Sequence, residues 1–268
     1  MMTFLQPVGV WGQSEVTRQV SIVEMGYRGR VHRVQSTEFC MDSVNKFFRT
    51  TTEEYNEQGL RTDMSEADFL YQTNYHYEYD DNGQLVYYVA AYSDGGRDSI
   101  AFHYDKNGCL FGYEEYGFNA DPEEGNGVTD FMVTCDARCR VLMCASVWED
   151  TARYEYDQQG RIVAVTWPGS PQTFHYDQQG RLARVRTGTE FYEDTHYRYN
   201  EQGDTVEVWQ TNWERYEKEK GNHEVGEHKY FTYTEYDDHG NWKKADVKVK
   251  ENGIPFIYHI VRTFSYYE

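Results

Sequence analysis

One phrase recurs along this chain: an aromatic slot, then Asp or Asn, two further residues, Gly, and an aliphatic side chain two positions later. It is plainest in TARYEYDQQGRIVAVTW (151–167) and PQTFHYDQQGRLARVRT (171–187), where the same words return after 20 residues. Further copies stand at Tyr55, Tyr79, Tyr104, Tyr199 and Tyr236. VTCDARCRV is an eighth, degenerate copy, with Cys135 in the Tyr slot and Cys139 in the Gly slot. Steps between slots of 24, 25, 31, 21, 20, 23 and 37 residues are too uneven for a fixed-pitch solenoid and suit hairpins of different length.

Each copy has a physical reading. Aromatic–polar–Tyr, as in Tyr154-Glu155-Tyr156, alternates with period two and sets both rings on one face of a strand. The following Asp or Asn can accept a backbone N–H two residues on, and Gly supplies the positive φ of a short hairpin loop closed by a type I turn and a bulge. The structural turn residues are therefore Asp80 with Gly83, Asp105 with Gly108, Asp157 with Gly160, Asp177 with Gly180, Asn200 with Gly203, and Asp237 with Gly240. Repeated hairpins make a meander, so the fold class is all-β: an extended curved antiparallel β-meander of about 14 to 18 strands. VKENGIPF (249–256) reads as one more turn. Val44, Phe47 and Phe48 lie at helical spacing but run straight into the strand-like Thr50-Thr51-Thr52. In the insertion at 211–229, a short helix capped by Asn212 competes with an elongated hairpin, which is preferred.

Composition agrees. Tyr is the commonest aromatic at 25 and there are only seven Leu, a poor stock for helical bundles and a good one for strands. A chain of 268 residues can bury one sizeable core, and a single β-repeat domain over 1–268 is expected, with 1–49 as opening strands and 50–268 as the hairpin repeats. The net charge of −19 repels phosphate backbones and anionic membranes, which argues against nucleic acid and favours a basic protein partner. No segment approaches the roughly 18 apolar residues of a membrane span. The start lacks the pattern of a signal peptide, so the expected location is the cytoplasm, or the periplasm or exterior if a leader has been removed. Five cysteines without a Cys-x-x-Cys pair point to free, mostly buried thiols rather than a disulfide framework.

The Tyr-Asp-x-x-Gly-Arg phrase with its following aliphatic residue resembles the YD repeat of the bacterial Rhs and YD-repeat proteins. The resemblance covers roughly 50–268, and the ending YDDHGNWKKADVKVKENGIPFIYHIVRTFSYYE is similar to the C-terminal unit of short members. It implies hairpins joined in a curved sheet, which in large members wraps a hollow shell around a toxin domain, and carbohydrate or protein binding in others. Eight copies are expected to be too few for such a shell, and the resemblance carries over no catalytic residue.

Motifs for chemistry fail on spacing. His223 and His228 are five apart with Gly226 between them, not the i, i+4 pair of a zinc protease helix, so no metal is expected. The Asp-x-x-Gly turns lack the alternate oxygen ligands and closing Glu of a calcium loop. His103 and His175 fill a slot that Glu or Arg fills elsewhere, which is an exposed strand face. Carboxylate pairs such as Glu114-Glu115 are uninformative among 45 acids. The expectation is a non-catalytic binding protein without cofactor: a protein partner first, in an inhibitor or immunity-like role, and a glycan second, with a hydrolase on a β scaffold as the rival. Trp209, Trp213 and Tyr216, around the long insertion, are the expected ligand-contacting aromatics.

Overall fold

The computed structural model describes residues 25–41, 46–118, 126–146, 151–167, 170–189, 192–213, 223–251 and 254–268. They form 18 strands and, among the described residues, no helix. The first nine are β1 (Val31–Met41), β2 (Lys46–Tyr55), β3 (Arg61–Ala67), β4 (Gln72–Tyr79), β5 (Leu85–Tyr92), β6 (Arg97–Tyr104), β7 (Leu110–Phe118), β8 (Asn126–Cys135) and β9 (Val141–Ser146). The second nine are β10 (Thr151–Tyr156), β11 (Ile162–Thr166), β12 (Gln172–Tyr176), β13 (Leu182–Thr187), β14 (Tyr192–Tyr199), β15 (Thr205–Trp213), β16 (His223–Tyr236), β17 (Trp242–Glu251) and β18 (Ile254–Tyr266).

Consecutive strands are antiparallel neighbours, and β1 pairs with β18 as well as with β2, so the hydrogen-bond order closes on itself. Phe47 and Phe48 lie in β2, because strand pairing with β1 uses the backbone groups a helix would need. The long insertion connects two strands, β15 and β16, as an elongated hairpin does.

All eight phrases close the same turn. The amide of the Asp or Asn donates to the carbonyl four residues on at 2.8–2.9 Å, and the amide of the Gly-slot residue donates back to the Asp or Asn carbonyl at 2.9–3.2 Å. The carboxylate seals the loop from inside: Asp80 Oδ1 accepts from the amides of Asn82 and Gln84 at 2.9 and 2.8 Å. The Gly slot carries φ of +79° to +92° in the seven glycine copies, and Cys139 occupies it at φ 60° in the eighth. One residue is bulged beside the slot Tyr, between Glu155 and Tyr156 and between His175 and Tyr176 for example.

Neighbouring hairpins are then stitched by the slot tyrosines. The hydroxyls of Tyr79, Tyr104, Tyr156, Tyr176 and Tyr199 donate to the carbonyls of Arg61, Leu85, Val141, Ile162 and Leu182 at 2.7–2.8 Å, in each case six residues beyond the preceding slot. Arg140, Arg161 and Arg181 add a second stitch. Each donates from Nε to its own turn Asp at 2.7 Å and lies 4.2–4.7 Å over the next slot Tyr ring. The Arg140 guanidinium holds the Asp136 carboxyl down to about 2.

The chain divides into two compact units, residues 1–132 with 233–245 and 259–268, and residues 133–232 with 246–258. In the first, Tyr27, Val31, Val34 and Tyr55 pack with Met25, Phe264 and Tyr266. Charge is buried there too: Glu53 accepts from the Tyr27 hydroxyl at 2.8 Å and from Arg61 at 3.2 Å, and Arg61 donates to the Tyr77 hydroxyl at 2.7 Å. Burial pushes the Tyr27 and Tyr55 phenols far up, so both stay protonated. In the second unit the buried side chains include Cys144, Ala152, Tyr154, Val208, Phe231, Val247 and Val249.

The cysteine expectation is corrected. Cys109 and Cys139 are disulfide-bonded, while Cys40, Cys135 and Cys144 stand outside disulfides. The two bonded residues sit in hairpin turns, at the position after Gly108 and in the Gly slot, rather than in the core positions that free thiols were expected to fill.

Two variants separate these forces. A Cβ at Gly203 meets nothing within 4 Å, so Gly203→Ala tests φ alone and is expected to cost about 1 kcal/mol in urea unfolding. Tyr176→Phe removes only the hydroxyl that reaches Ile162, and about 1 kcal/mol is expected from that lost bond.

Candidate functional site

Trp209 lies on β15 in the middle of a cross-strand row. The register sets His175 beside Arg184, Arg184 beside His196, His196 beside Trp209, and Trp209 beside His228. The His196 ring stacks on the indole at 4.8 Å and 7°, and the His228 ring lies tilted at 33° with its centre 6.0 Å from the indole's. His228 in turn stacks on Tyr230 at 4.3 Å.

The charges of this face are paired within it. Glu207 meets His228 Nε2 at 2.8 Å and accepts from Arg198 at 2.6 Å. Asp194 is buried and accepts two 2.8 Å bonds from Arg186, the bidentate fork that suits a planar carboxylate. His196 Nε2 contacts Thr211 Oγ1 at 3.0 Å, and burial pushes the His196 and His175 imidazoles down, leaving them neutral near pH 7. The Trp209 indole is thus engaged by protein rings, one stacked and one tilted, before any sugar reaches it. Trp213 pairs with Tyr192 through its backbone, its side chain lies outside what is described, and Tyr216 falls outside the described residues. Tyr230, Lys248, Lys250 and Pro255 line a cavity of about 400 Å³ on the same unit, and these described lining residues include no acid.

A different face is open. On β7 and β8, Tyr116 stands opposite Val128, Glu114 opposite Asp130, and Gly112 opposite Met132. Tyr116, Phe118, Val128 and Met132 are 38, 50, 56 and 67 % exposed, an apolar cluster too open to be core. Glu114 accepts from the Tyr116 hydroxyl and lies 3.5 Å from His103 Nε2. Asp130 has no ion-pair partner among the described residues. Two carboxylates directly opposite on a sheet repel, so this register carries a local cost.

Glu115 turns the other way, as adjacent strand residues must. Burial, and then the nearby Asp98 charge, pushes its carboxyl up to about 7. Glu114-Glu115 is thus a pair of half-buried acids on opposite faces of the sheet, of which burial shifts Glu115. The alternation in GYEEYGF carries that signal, with Tyr116 and Phe118 on Glu114's side, but the pattern alone leaves open which side is covered.

No protein-family profile matches the sequence, and no curated protein does. Among solved structures, a porin-like protein from Bacteroides uniformis is similar at 11 % identity and TM-score 0.47, over 88 % of this chain and 96 % of that one. The TcdB2-TccC3-Cdc42 structure is similar at 12 % identity and TM-score 0.38, over 81 % of this chain and 11 % of that one. The Photorhabdus luminescens Tc holotoxin pore is similar at 10 % identity and TM-score 0.22, over 85 % of this chain and 18 % of that one. No helix among the described residues is long and apolar enough to cross a membrane, which leaves strands aside.

Glu115 gives a signed test. Its folded pKa is raised, so the stability linked to its protonation is full below the unfolded value near 4.5 and is lost as pH rises through about 7. Glu115→Gln is therefore expected to match the parent in thermal unfolding near pH 4.5 and to melt higher than it at pH 8.

Proposed function

We propose that this chain is a non-catalytic, protein-binding module of the YD-repeat type, and that its partner is a basic protein seated on the β7–β8 face. One observation carries the reading: exposed Tyr116, Phe118, Val128 and Met132 surround the opposed Glu114 and Asp130. An apolar and aromatic centre beside charges is the anatomy of a protein interface. A Lys or Arg inserted between the two carboxylates would offset their repulsion, so the partner's charge sign follows from the register. The net charge of −19 would also speed the encounter with a basic surface. Eight copies of the hairpin phrase support the YD-repeat assignment. A glycan stands second, because the Trp209 indole is already engaged by the stacked His196 ring and the neighbouring His228 ring. The disulfide-bonded Cys109 and Cys139 support an oxidising compartment over the cytosol.

The test compares the parent protein with Phe118→Asp/Val128→Asp in pull-downs from lysate and secreted fractions at about 50 and 300 mM salt, a range over which screening tightens. A basic protein held by the parent at low salt, weakened at high salt and lost from the double variant is the expected result. Equal retention by both proteins, or retention of acidic proteins only, would overturn the proposal. Unchanged thermal unfolding of the variant checks that its fold is intact, since both side chains are exposed.

A further inference from the structure

Arg262 on β18 stands opposite Ser36 on β1, and each is 2 % exposed. The guanidinium carbon lies 3.4 Å from the centre of the Trp242 ring and 5.5 Å from that of Tyr27. Aromatic faces stabilise a cation through their quadrupole, but they make no hydrogen bond to its edge. On that edge Arg262 Nε has no hydrogen-bond partner among the described residues, and neither does Ser36 Oγ. The buried carboxylate of the same unit does not supply one, since Glu53 is engaged by the Tyr27 hydroxyl and Arg61. An enclosed guanidinium with an unused donor is disfavoured unless a hydrogen-bond acceptor meets it, and an anion is the strongest one for a cation.

We infer that Arg262 and Ser36 form a binding site for a small carboxylate anion. The guanidinium fork offers two parallel N–H donors in one plane, which match the two oxygens of a carboxylate, and the Ser36 hydroxyl supplies a third donor from the neighbouring strand. Trp242, packed against the flat side of the guanidinium, restricts approach to that plane. A planar carboxylate fits this restriction better than a tetrahedral phosphate. The two unpartnered groups belong to different strands and are brought together only by the β1–β18 pairing. The site lies apart from the β7–β8 face, so its test is independent of the partner proposed above.

The experiment follows thermal unfolding and tryptophan emission of the full chain during titration with sodium acetate and with sodium formate. Ionic strength is held constant with chloride, the buffer contains no carboxylate, and inorganic phosphate is titrated in parallel. A saturable rise in melting temperature with acetate or formate is expected for the parent. Ser36→Ala is expected to weaken the apparent affinity roughly tenfold, the loss of one hydrogen bond to a charged group. Arg262→Met is expected to abolish the response, and if that variant does not fold, Ser36→Ala decides alone. No saturable response in the parent, an equal response in Ser36→Ala, or an equal response to phosphate would overturn the assignment.

Discussion

The carboxylate at the head of each turn sets the geometry on which the rest of the structure depends. Asp80 Oδ1 takes two amides of its own loop, Gly83 supplies the left-handed backbone, and the amide–carbonyl pair of the turn locks the count of loop residues. A fixed loop count fixes strand register, and in a sheet a slip of one residue would send every side chain to the other face. Whether Tyr77 is buried and His76 exposed is therefore decided in the turn that follows them. The eighth turn keeps all of this with Cys139 at positive φ, which shows how little the Gly slot demands beyond that backbone angle.

A turn by itself orders only two strands. The slot tyrosines extend the order, since each hydroxyl reaches a carbonyl of the hairpin before it, and Arg140, Arg161 and Arg181 tie the turn Asp to the ring of the hairpin after it. Tyr suits this work better than Phe or Leu, because it carries apolar area into the interior and ends in a donor that must find a partner there. The same property explains how the first unit tolerates buried charge. Tyr27 and Tyr77 bring hydroxyls to Glu53 and Arg61, so the ion pair is hydrogen-bonded as well as neutralised.

The sheet face around Trp209 and the one around Tyr116 show opposite electrostatic habits. Around Trp209, carboxylates and guanidinium groups alternate across strands and satisfy one another, and the aromatic rings stack edge-up like neighbouring pages. Around Tyr116, two acids face each other among exposed apolar side chains. The hairpins, the strand alternation and the antiparallel class were legible in the sequence because each rests on residues within about ten positions of one another. Trp209 stood out for its place beside the insertion, but the fate of an indole depends on His196 and His228, which other strands supply.

Sequence by itself determined the unit of construction: the Asp or Asn, the Gly and the slot Tyr specify a bulged hairpin through local hydrogen bonds and backbone angle, and eight copies specify a meander. Only the tertiary structure decided that β1 lies against β18, since no local rule links residues more than 200 positions apart. It also decided that Arg262 meets Ser36, that Glu114 faces Asp130, and that of Glu114 and Glu115 it is Glu115 whose side is covered. Cross-strand neighbours are chosen by register summed over many hairpins, and burial is chosen by which face finds something to pack against, and neither quantity is written in any single stretch of the chain.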